Sequence, residues 1–254
     1  MMINPATYIR DLKRRFIADK YSKKYKNIFF IDGIKFFVPI SVEPNIRYIL
    51  AKGRGYEVDE IRFLKRILRT GMNVIELGGS IGIVSGIVRN IIGPDSKHII
   101  VEANSELISI CKHNANPKAT TFGTEVICKA LAYSVKDKVG FKKGTNSHTG
   151  RLCNTGENAD QEIDKIELHT LVKKLSDTDS YVLICDIEGA EYDMFRIEAK
   201  DTFKNLSFAV IGMRSRIYKS LGLKEDEFFN ILSSKGLQIL DRSGDVLLLK
   251  GPAA

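Results

Sequence analysis

The stretch that decides the fold runs from Asn73 to Ser85 and reads NVIELGGSIGIVS. Its apolar residues Val74, Ile75 and Leu77 form a short run typical of a strand that is covered on both faces. Three glycines follow, and glycine permits positive φ and a close approach of other atoms to the backbone. Apolar residues then recur at helical spacing as far as Ile92. The sequence therefore predicts the strand, turn and helix that open a nucleotide-binding βαβ unit.

Two acidic residues at strand ends indicate the kind of ligand. Glu76 lies two residues before the first glycine, where a diphosphate-binding loop gains nothing from a carboxylate. The next strand, His98–Glu102, ends 20 residues after Gly82, where such folds place an acid that accepts both ribose hydroxyls. The Gly-Lys-Ser/Thr of a P-loop does not follow the glycines. This combination resembles the S-adenosylmethionine (SAM) site of a Rossmann-like methyltransferase; an NAD site, or a glycine corner needed only for packing, are the alternatives.

The composition is that of a globular protein without a membrane-spanning segment. The chain has 254 residues, of which 44% are hydrophobic and 28% charged, so it suits one domain with a small appendage. Apolar runs stay short of the ~18 residues that span a bilayer, and the first 16 residues lack the apolar centre of a signal peptide. The four cysteines are scattered, which argues against disulfides or a zinc site. We expect a cytoplasmic location, which becomes membrane-peripheral if the amino-terminal segment binds lipid.

Most of the positive charge lies in one segment near the amino terminus. The net charge is +8, and between Arg10 and Lys26 eight basic residues face two acidic ones, a local net of +6. Residues 4–26 are predicted to form a basic amphipathic helix. Its apolar stripe consists of Tyr8, Ile9, Leu12, Phe16 and Ile17. Three uses stay open: packing on its own domain or a homodimer partner, contact with a membrane or lipid-linked substrate, and the least favoured, contact with nucleic acid.

A hairpin and a helix are predicted between this segment and the glycine turn. The apolar runs Ile28–Ile31 and Ile34–Val38 flank Asp32-Gly33, a strong signal for a type I′ turn. Residues 41–56 have no clear periodicity, whereas Glu57–Leu68 has that of a helix. We predict an amino-terminal extension over residues 1–56 and a methyltransferase-like domain over residues 57–250.

Small apolar residues mark a place where an adenine ring could lie. Ala130 and Leu131 come just after a third predicted strand, Glu125–Cys128, and therefore lie near the edge of the sheet. A flat ring could lie against these two residues. Packing in the protein core explains them equally well, so both interpretations stay open.

The longest polar, glycine-rich stretch covers residues 144–160. It has no periodicity, and it is therefore predicted to be a long loop of the kind that often serves as a lid. His148 and Arg151 are the side chains in it that could touch a substrate, and ordinary surface positions are an equal alternative for both.

A second informative stretch runs from Tyr181 to Phe195 and reads YVLICDIEGAEYDMF. An apolar strand ends at Asp186, and a glycine turn then leads into a helix. Asp186, Glu188 and Glu191 follow one another at the carboxyl edge of the sheet, where open α/β folds bind ligands. Crowded carboxylates repel one another unless they bind a cation, a sulfonium or sugar hydroxyls, although the helix dipole alone accounts for Glu191.

The remaining strands complete a seven-stranded sheet. Phe208–Met213 is the fifth core strand, and Gly236–Leu240 and Val246–Leu249 form a terminal antiparallel pair. Such a terminal hairpin is typical of methyltransferases and is absent from dinucleotide-dependent dehydrogenases. The predicted fold class is α/β: a Rossmann-like class I methyltransferase with a seven-stranded, mostly parallel sheet, a terminal antiparallel hairpin and a small amino-terminal helix and hairpin extension.

The chain resembles the FkbM family of SAM-dependent O-methyltransferases over about residues 55–250. The segments that carry the resemblance are Val74–Gly82, Val101–Asn104, Asp186–Tyr192, Gly55–Glu57 and Thr170–Leu171. The resemblance implies methylation of a hydroxyl on a sugar, a glycan or a natural product. One departure is Gly212, because family members commonly carry an acid at this place in the fifth strand. Either the role of that acid is minor, or the acceptor differs from those of the family, or catalysis is impaired.

We expect SAM as the cofactor and S-adenosylhomocysteine as its product. The residues expected to bind it are Glu76, Gly78, Gly79, Ser80, Gly82, Glu102, Ala103, Ala130, Leu131 and Asp186. Asp186 and Glu188 are the expected orienter and base for a hydroxyl acceptor, with His148 as the reserve base. The residues expected to bind the acceptor are Glu191, Arg151 and Glu57. We predict no metal, since no further ligands accompany the acids. A SAM- or glycan-binding protein with impaired catalysis and a nucleic-acid methyltransferase are the alternatives.

Overall fold

The structure, a computed structural model, describes most of the chain. The described residues are 5–116, 123–142, 144, 150–153, 159–176, 178–220 and 222–254. The chain divides into two compact units, Met1–Val58 and Asp59–Ala254. Among the described residues, no helix combines the length and the apolar character that crossing a membrane requires.

The first unit contains two helices and a hairpin. Its elements are α1 (Pro5–Lys24), β1 (Ile28–Ile31), β2 (Ile34–Phe37) and α2 (Pro44–Ala51). The turn between the strands has positive φ at both Asp32 and Gly33, 52° and 76°, as a type I′ turn requires. The helix and hairpin predicted for this region are therefore present.

Helix α2 corrects the expectation that residues 41–56 are irregular. Arg47 is buried in this helix, and its Nε donates a hydrogen bond to the carbonyl oxygen of Val42 at 2.8 Å. Its Nη1 donates to Asp19 Oδ1 at 2.8 Å and to Ser22 Oγ at 3.2 Å, both on α1. A buried guanidinium is tolerated because its donors are satisfied. Hydrophobic periodicity missed this helix because a charged residue takes a core position.

The second unit alternates strands and helices around a central sheet. Its helices are α3 (Val58–Ile67, starting at the unit boundary), α4 (Ile83–Ile92), α5 (Ile108–Asn114), α6 (Leu168–Val172), α7 (Ala190–Ile197), α8 (Ser215–Ser220) and α9 (Glu225–Ser234), with a 3-10 turn at Lys200–Phe203. Its strands are β3 (Asn73–Leu77), β4 (His98–Glu102), β5 (Thr124–Cys128), β6 (Ala130–Leu131), β7 (Lys138–Lys142), β8 (Arg151–Cys153), β9 (Gln161–Ile166), β10 (Tyr181–Cys185), β11 (Leu206–Gly212), β12 (Gln238–Ser243) and β13 (Val246–Lys250).

The central sheet has the strand order β12-β13-β11-β10-β3-β4-β5. Strands β5, β4, β3, β10 and β11 run parallel, and β13 is antiparallel to both β11 and β12. The predicted fold class, with its seven-stranded, mostly parallel sheet and terminal antiparallel hairpin, is confirmed. The chain moves outward from β3 to β5 and then returns to β10 on the other side of β3. Ligands of open α/β sheets bind in the crevice at such a reversal, beyond the carboxyl ends of the two strands.

Both faces of the central strands are covered, which explains their unbroken apolar runs. Ile75 and Leu183 lie in one core cluster with Phe195 of α7. Their neighbours Val74 and Val182 lie in a second cluster on the opposite face. Central parallel strands therefore carry apolar residues at successive positions, without the alternation of a half-exposed strand.

A smaller sheet, which the sequence did not predict, has the order β6-β9-β7-β8. It contains part of the stretch that was predicted to be a continuous loop over residues 144–160. That prediction is wrong at Arg151–Cys153, because this segment pairs antiparallel with β7, with Leu152 opposite Phe141. Residues 145–149 and 154–158 lie outside the described part of the chain.

Candidate functional site

The turn after β3 is held against the carboxyl end of β4. Gly78 and Gly82 have positive φ, 94° and 77°, and so has Ser80, at 48°. The backbone N–H groups of Gly78 and Gly79 both donate to the carbonyl oxygen of Val101, at 2.8 and 3.2 Å. The turn therefore lies between the carboxyl ends of β3 and β4, next to the point where the strand order reverses.

Each glycine of this turn is required by contacts inside the protein. A Cβ atom would lie 2.1 Å from the carbonyl oxygen of Asp186 at Gly78, 2.4 Å from Ile100 at Gly79 and 2.7 Å from the carbonyl oxygen of Cys111 at Gly82. Real Cβ contacts are not shorter than 3.0 Å. Packing alone therefore accounts for the glycines, and the evidence for a ligand must come from the side chains around them.

The carboxylate of Glu102 lies at the turn. Its Oε2 accepts a hydrogen bond from the N–H of Ser80 at 2.7 Å, and its Oε1 accepts one from the N–H of Asn104 at 2.7 Å. Burial raises the pKa of Glu102, and the backbone N–H donors oppose that rise. An acid 22 residues from Ser80 in sequence is thus held beside the glycine turn.

Glu76 does not face the crevice, which corrects the prediction that it contacts a cofactor. Its side chain is buried, and its Oε1 accepts a hydrogen bond from Ser85 Oγ at 2.7 Å. Its Oε2 lies 2.8 Å from His98 Nε2. The reason is strand alternation: Val74, on the same face, packs with Val88 of α4, so Glu76 also points beneath the turn toward α4. We assign Glu76 a positioning role.

Ala130 and Leu131 are core residues, which corrects their assignment to an adenine pocket. Leu131 belongs to the main apolar cluster of the second unit, and Ala130 packs in a small cluster with Phe141 and Ile163 of the second sheet. Both are almost fully buried. Ala103 is partly buried against that small cluster, and its predicted contact with a cofactor stays a prediction.

The structure brings Asp186 and Glu188 together through a residue to which the sequence analysis gave no role. Arg214 Nη2 forms an ion pair with Asp186 Oδ1 and lies 3.1 Å from Glu188 Oε1. All three side chains are partly buried at the carboxyl ends of β10 and β11. Positive φ at Glu188, 54°, and at Gly189, 102°, forms the turn that carries the second acid. A cation just past the end of the neighbouring strand was the signal in the sequence.

Gly212 leaves the space that Asp186 occupies. A Cβ atom at Gly212 would lie 3.0 Å from Asp186 Oδ1, which is tighter than most real contacts. An acidic side chain at this place would compete with Asp186 for the same space. Glycine at position 212, the departure noted in the sequence, therefore leaves room for Asp186 in its ion pair with Arg214.

Glu191 is buried, which corrects its assignment to acceptor binding. Its Oε2 accepts a hydrogen bond from the N–H of Gly189 at 2.8 Å, and its Oε1 accepts one from the hydroxyl of Tyr218 at 2.9 Å. Helix α7 has begun at this position, so the side chain turns inward rather than toward the crevice. Burial raises the pKa of Glu191 to about 7, and its hydrogen-bond donors oppose that rise.

Glu191 is expected to make the stability of the protein depend on pH. Its folded-state pKa lies above the ordinary value of 4.5, so the folded protein binds this proton more tightly than the unfolded chain. The resulting stabilisation is complete below pH 4.5 and is lost as the pH rises through 7. We expect Glu191→Gln to remove a pH-dependent contribution of about 3 kcal/mol over this range. The measurement is the free energy of unfolding against pH.

The control for this experiment is Glu227→Gln, which neutralises an exposed acid on α9. The difference in unfolding free energy between this control and the wild type should change little with pH. A parallel pH profile for Glu191→Gln and the wild type would contradict the assignment of the raised pKa to Glu191.

Three predicted site residues stay predictions. Glu57 belongs to the first unit, is exposed and has a positive φ of 42°. His148 lies outside the described residues. The backbone of Arg151 belongs to β8, but its side chain is outside what the structure describes.

Comparisons with known proteins yield structural likeness only. No family model and no curated protein matches the chain. The chain is similar to ribosomal protein L11 methylase from Lactobacillus delbrueckii subsp. bulgaricus, with 12% identity, TM-score 0.41, and 75% of this chain and 74% of that one covered. A SAM-dependent methyltransferase from Aquifex aeolicus gives 13% identity, TM-score 0.39 and coverages of 76% and 88%. Aeropyrum pernix fibrillarin in complex with natively bound SAM gives 12% identity and a TM-score of 0.46, with 77% of this chain and 74% of that one covered. At these values the likeness does not decide the function.

Proposed function

We propose that the protein is a SAM-dependent O-methyltransferase that acts on a hydroxyl of a sugar, a glycan or a natural product. One observation carries the proposal: the Glu102 carboxylate is held at the glycine turn by the N–H of Ser80, 2.7 Å away, at the switch point of the sheet. A carboxylate at this place accepts hydrogen bonds from ribose hydroxyls. The fold and this acid together support an adenosyl ligand.

The acids on the other side of the crevice favour a cationic donor over a dinucleotide. Asp186 and Glu188 carry two negative charges, and Arg214 supplies one positive charge between them. The remaining negative charge attracts a cation and repels a pyrophosphate, so SAM fits better than NAD. When bound, SAM supplies an electrophilic methyl group on its sulfonium.

The same acids support a hydroxyl acceptor. A hydroxyl must lose its proton as the methyl group is transferred, and a carboxylate within hydrogen-bond reach removes it. Glu188 is our candidate base, and Asp186 orients the reactants. Arg214 is a positioning residue that holds the two carboxylates next to each other.

The cofactor is tested by calorimetric titration of the full chain with S-adenosylhomocysteine, with NAD as the comparison ligand. We expect micromolar binding of S-adenosylhomocysteine and much weaker binding of NAD. Preferential binding of NAD, or no binding of the adenosyl ligand, would contradict the proposal. Binding without methyl transfer to any acceptor would indicate a SAM-binding protein, in which the Arg214 ion pair keeps the acids from acting as bases.

Replacing the candidate base should abolish transfer without affecting the cofactor. We expect Glu188→Gln to lower transfer of labelled methyl groups from SAM by about 100-fold or more, since general-base catalysis contributes at least that much. Binding of S-adenosylhomocysteine should change less than about threefold, because the variant keeps the shape of the side chain. The assay follows the label into a panel of mono- and oligosaccharides and hydroxylated natural products.

The matched control is Glu227→Gln, an exposed acid of the second unit outside the site. Its transfer rate should equal that of the wild type. If Glu188→Gln retains the wild-type rate on an acceptor that the wild type methylates, Glu188 is not the base.

A further inference from the structure

Helix α1 exposes a row of large apolar side chains. Tyr8, Ile9, Leu12 and Phe16 are between 48% and 68% exposed. At 3.6 residues per turn, these four positions fall within an arc of about 100° on the helix. The helix packs within its own unit through Ala18 and Ser22, which are buried, and through Asp19, which contacts Arg47 of α2. The exposed apolar row therefore covers the part of α1 that precedes these contacts in the chain.

The same helix carries most of the surplus positive charge of the protein. Between Pro5 and Lys24 its net charge is +5, from seven basic and two acidic residues, out of +8 for the whole chain. By helical spacing, Lys13 and Lys20 border the apolar row on one side and Arg15 borders it on the other. An exposed apolar stripe with basic residues at its borders favours contact with a membrane interface.

A basic pocket of about 510 Å³ opens next to this row, within the first unit. Its lining includes four basic residues and no acidic one: Arg10, Lys13, Arg14 and Arg54. The guanidinium carbons of Arg14 and Arg54 each lie 5.6 Å from the ring centroid of Tyr48. Ile9 belongs to both the pocket and the apolar row. The pocket thus brings several cations together beside an apolar surface, an arrangement that suits a phosphate attached to an apolar chain.

We propose that α1 binds anionic phospholipid membranes, with the apolar row at the boundary of the acyl chains and a lipid phosphate in the basic pocket. Charge complementarity with an anionic bilayer favours this surface. Nucleic acid would satisfy the cations but would leave Ile9 and Leu12 without an apolar partner. A second copy of α1 would cover the apolar row but would bring two helices of net charge +5 together. This inference is independent of the proposed methyl transfer.

The test is co-sedimentation of the full chain with vesicles at physiological salt. One set contains phosphatidylcholine alone, and the other contains 30 mol% phosphatidylglycerol. We expect at least tenfold stronger partitioning to the anionic vesicles, and a marked loss of binding when the salt concentration rises. Equal binding to both sets, or no binding to either, would overturn the proposal.

Two variant pairs separate the apolar row from the pocket. L12E/F16E should reduce partitioning to the level of neutral vesicles, whereas V135E, which alters an exposed apolar residue of the second unit, should not. R14Q/R54Q should weaken partitioning at least fivefold. R196Q/K204Q removes two exposed charges from the second unit and should change it less than twofold. Equal losses for the two charge variants would show attraction by net charge alone and would contradict a lipid site in the pocket.

Competing ligands identify the source of the phosphate. Millimolar glycerol 3-phosphate or inorganic phosphate should leave the protein on the vesicles. Release by either would assign the pocket to a soluble phosphate and overturn the membrane proposal. Release by single-stranded RNA at comparable charge concentration would assign the surface to nucleic acid. A dimer that persists at high salt and loses stability in L12E/F16E would assign the row to a second copy.

Discussion

Replacing Glu102 by glutamine is expected to weaken the binding of S-adenosylhomocysteine by about 100-fold. The carboxylate offers a charged acceptor to two ribose hydroxyls, and an amide offers one neutral acceptor. Hydrogen bonds to charged groups contribute about 1.5 to 3 kcal/mol each, and a loss of about 3 kcal/mol corresponds to roughly 100-fold in affinity. The measurement is calorimetric titration of wild type and variant at pH 7.

The pH dependence of this binding provides a second readout. Burial raises the pKa of Glu102, so the carboxylate takes up a proton more readily than an exposed one as the pH falls. We expect the affinity of the wild type to fall with decreasing pH, and that of Glu102→Gln to stay nearly constant. A wild type and a variant with the same pH profile would contradict a direct role for Glu102.

The matched control is Glu125→Gln, which changes an exposed acid on β5 that pairs with Lys174 at 2.7 Å. Its affinity for S-adenosylhomocysteine should equal that of the wild type. Thermal unfolding of all three proteins shows whether a loss of binding reflects a loss of structure. An affinity of folded Glu102→Gln within threefold of the wild type would refute the ribose assignment.

Adding one methyl group at Gly78 is expected to destabilise the second unit far more than the same change at Gly71. The two glycines have nearly equal φ, 94° and 92°, so the backbone strain of an alanine is matched. The new Cβ lies 2.1 Å from the carbonyl oxygen of Asp186 at Gly78, whereas no atom lies within 4 Å at Gly71. We expect a cost of about 1 to 2 kcal/mol for Gly71→Ala and on the order of 4 kcal/mol for Gly78→Ala.

Thermal unfolding and the titration with S-adenosylhomocysteine together test this prediction. Gly71→Ala should bind like the wild type, and Gly78→Ala should lose binding because the end of β3 must move away from Asp186. Equal unfolding temperatures for the two variants would show that the end of β3 yields easily. The close approach of Gly78 to the backbone of Asp186 would then not fix the end of β3.

Local patterns in the sequence were sufficient for the strands of the central sheet, but not for α2 or the smaller sheet. The apolar run before Gly78 and the helical spacing after Gly82 depend only on neighbouring residues, so β3, its turn and α4 could be predicted. The separation between Gly82 and Glu102 also placed an acid at the turn, because one βα unit has a nearly constant length. Helix α2 was not predicted because Arg47, a charged residue, occupies a buried position in it.

Such local patterns could not predict where the polar side chains point or which groups they bind. Glu76 and Glu191 are acids at positions where the sequence suggested a site, yet both are buried and hydrogen-bonded to protein atoms. Ala130 and Leu131 were ambiguous, because a small apolar residue suits a ligand surface and a core equally well. These outcomes depend on which face of each element is covered, and that is decided only when distant elements pack.

The sequence by itself thus determined the doubly wound sheet, its terminal hairpin and the acid at the glycine turn, since periodicity and spacing act over short distances along the chain. Only the tertiary structure decided that Arg214 joins Asp186 and Glu188, residues up to 28 positions away from it. It also decided that the apolar row of α1 stays exposed. The physical reason is that ion pairing and burial depend on distances in space, which packing sets between residues that are far apart in the chain.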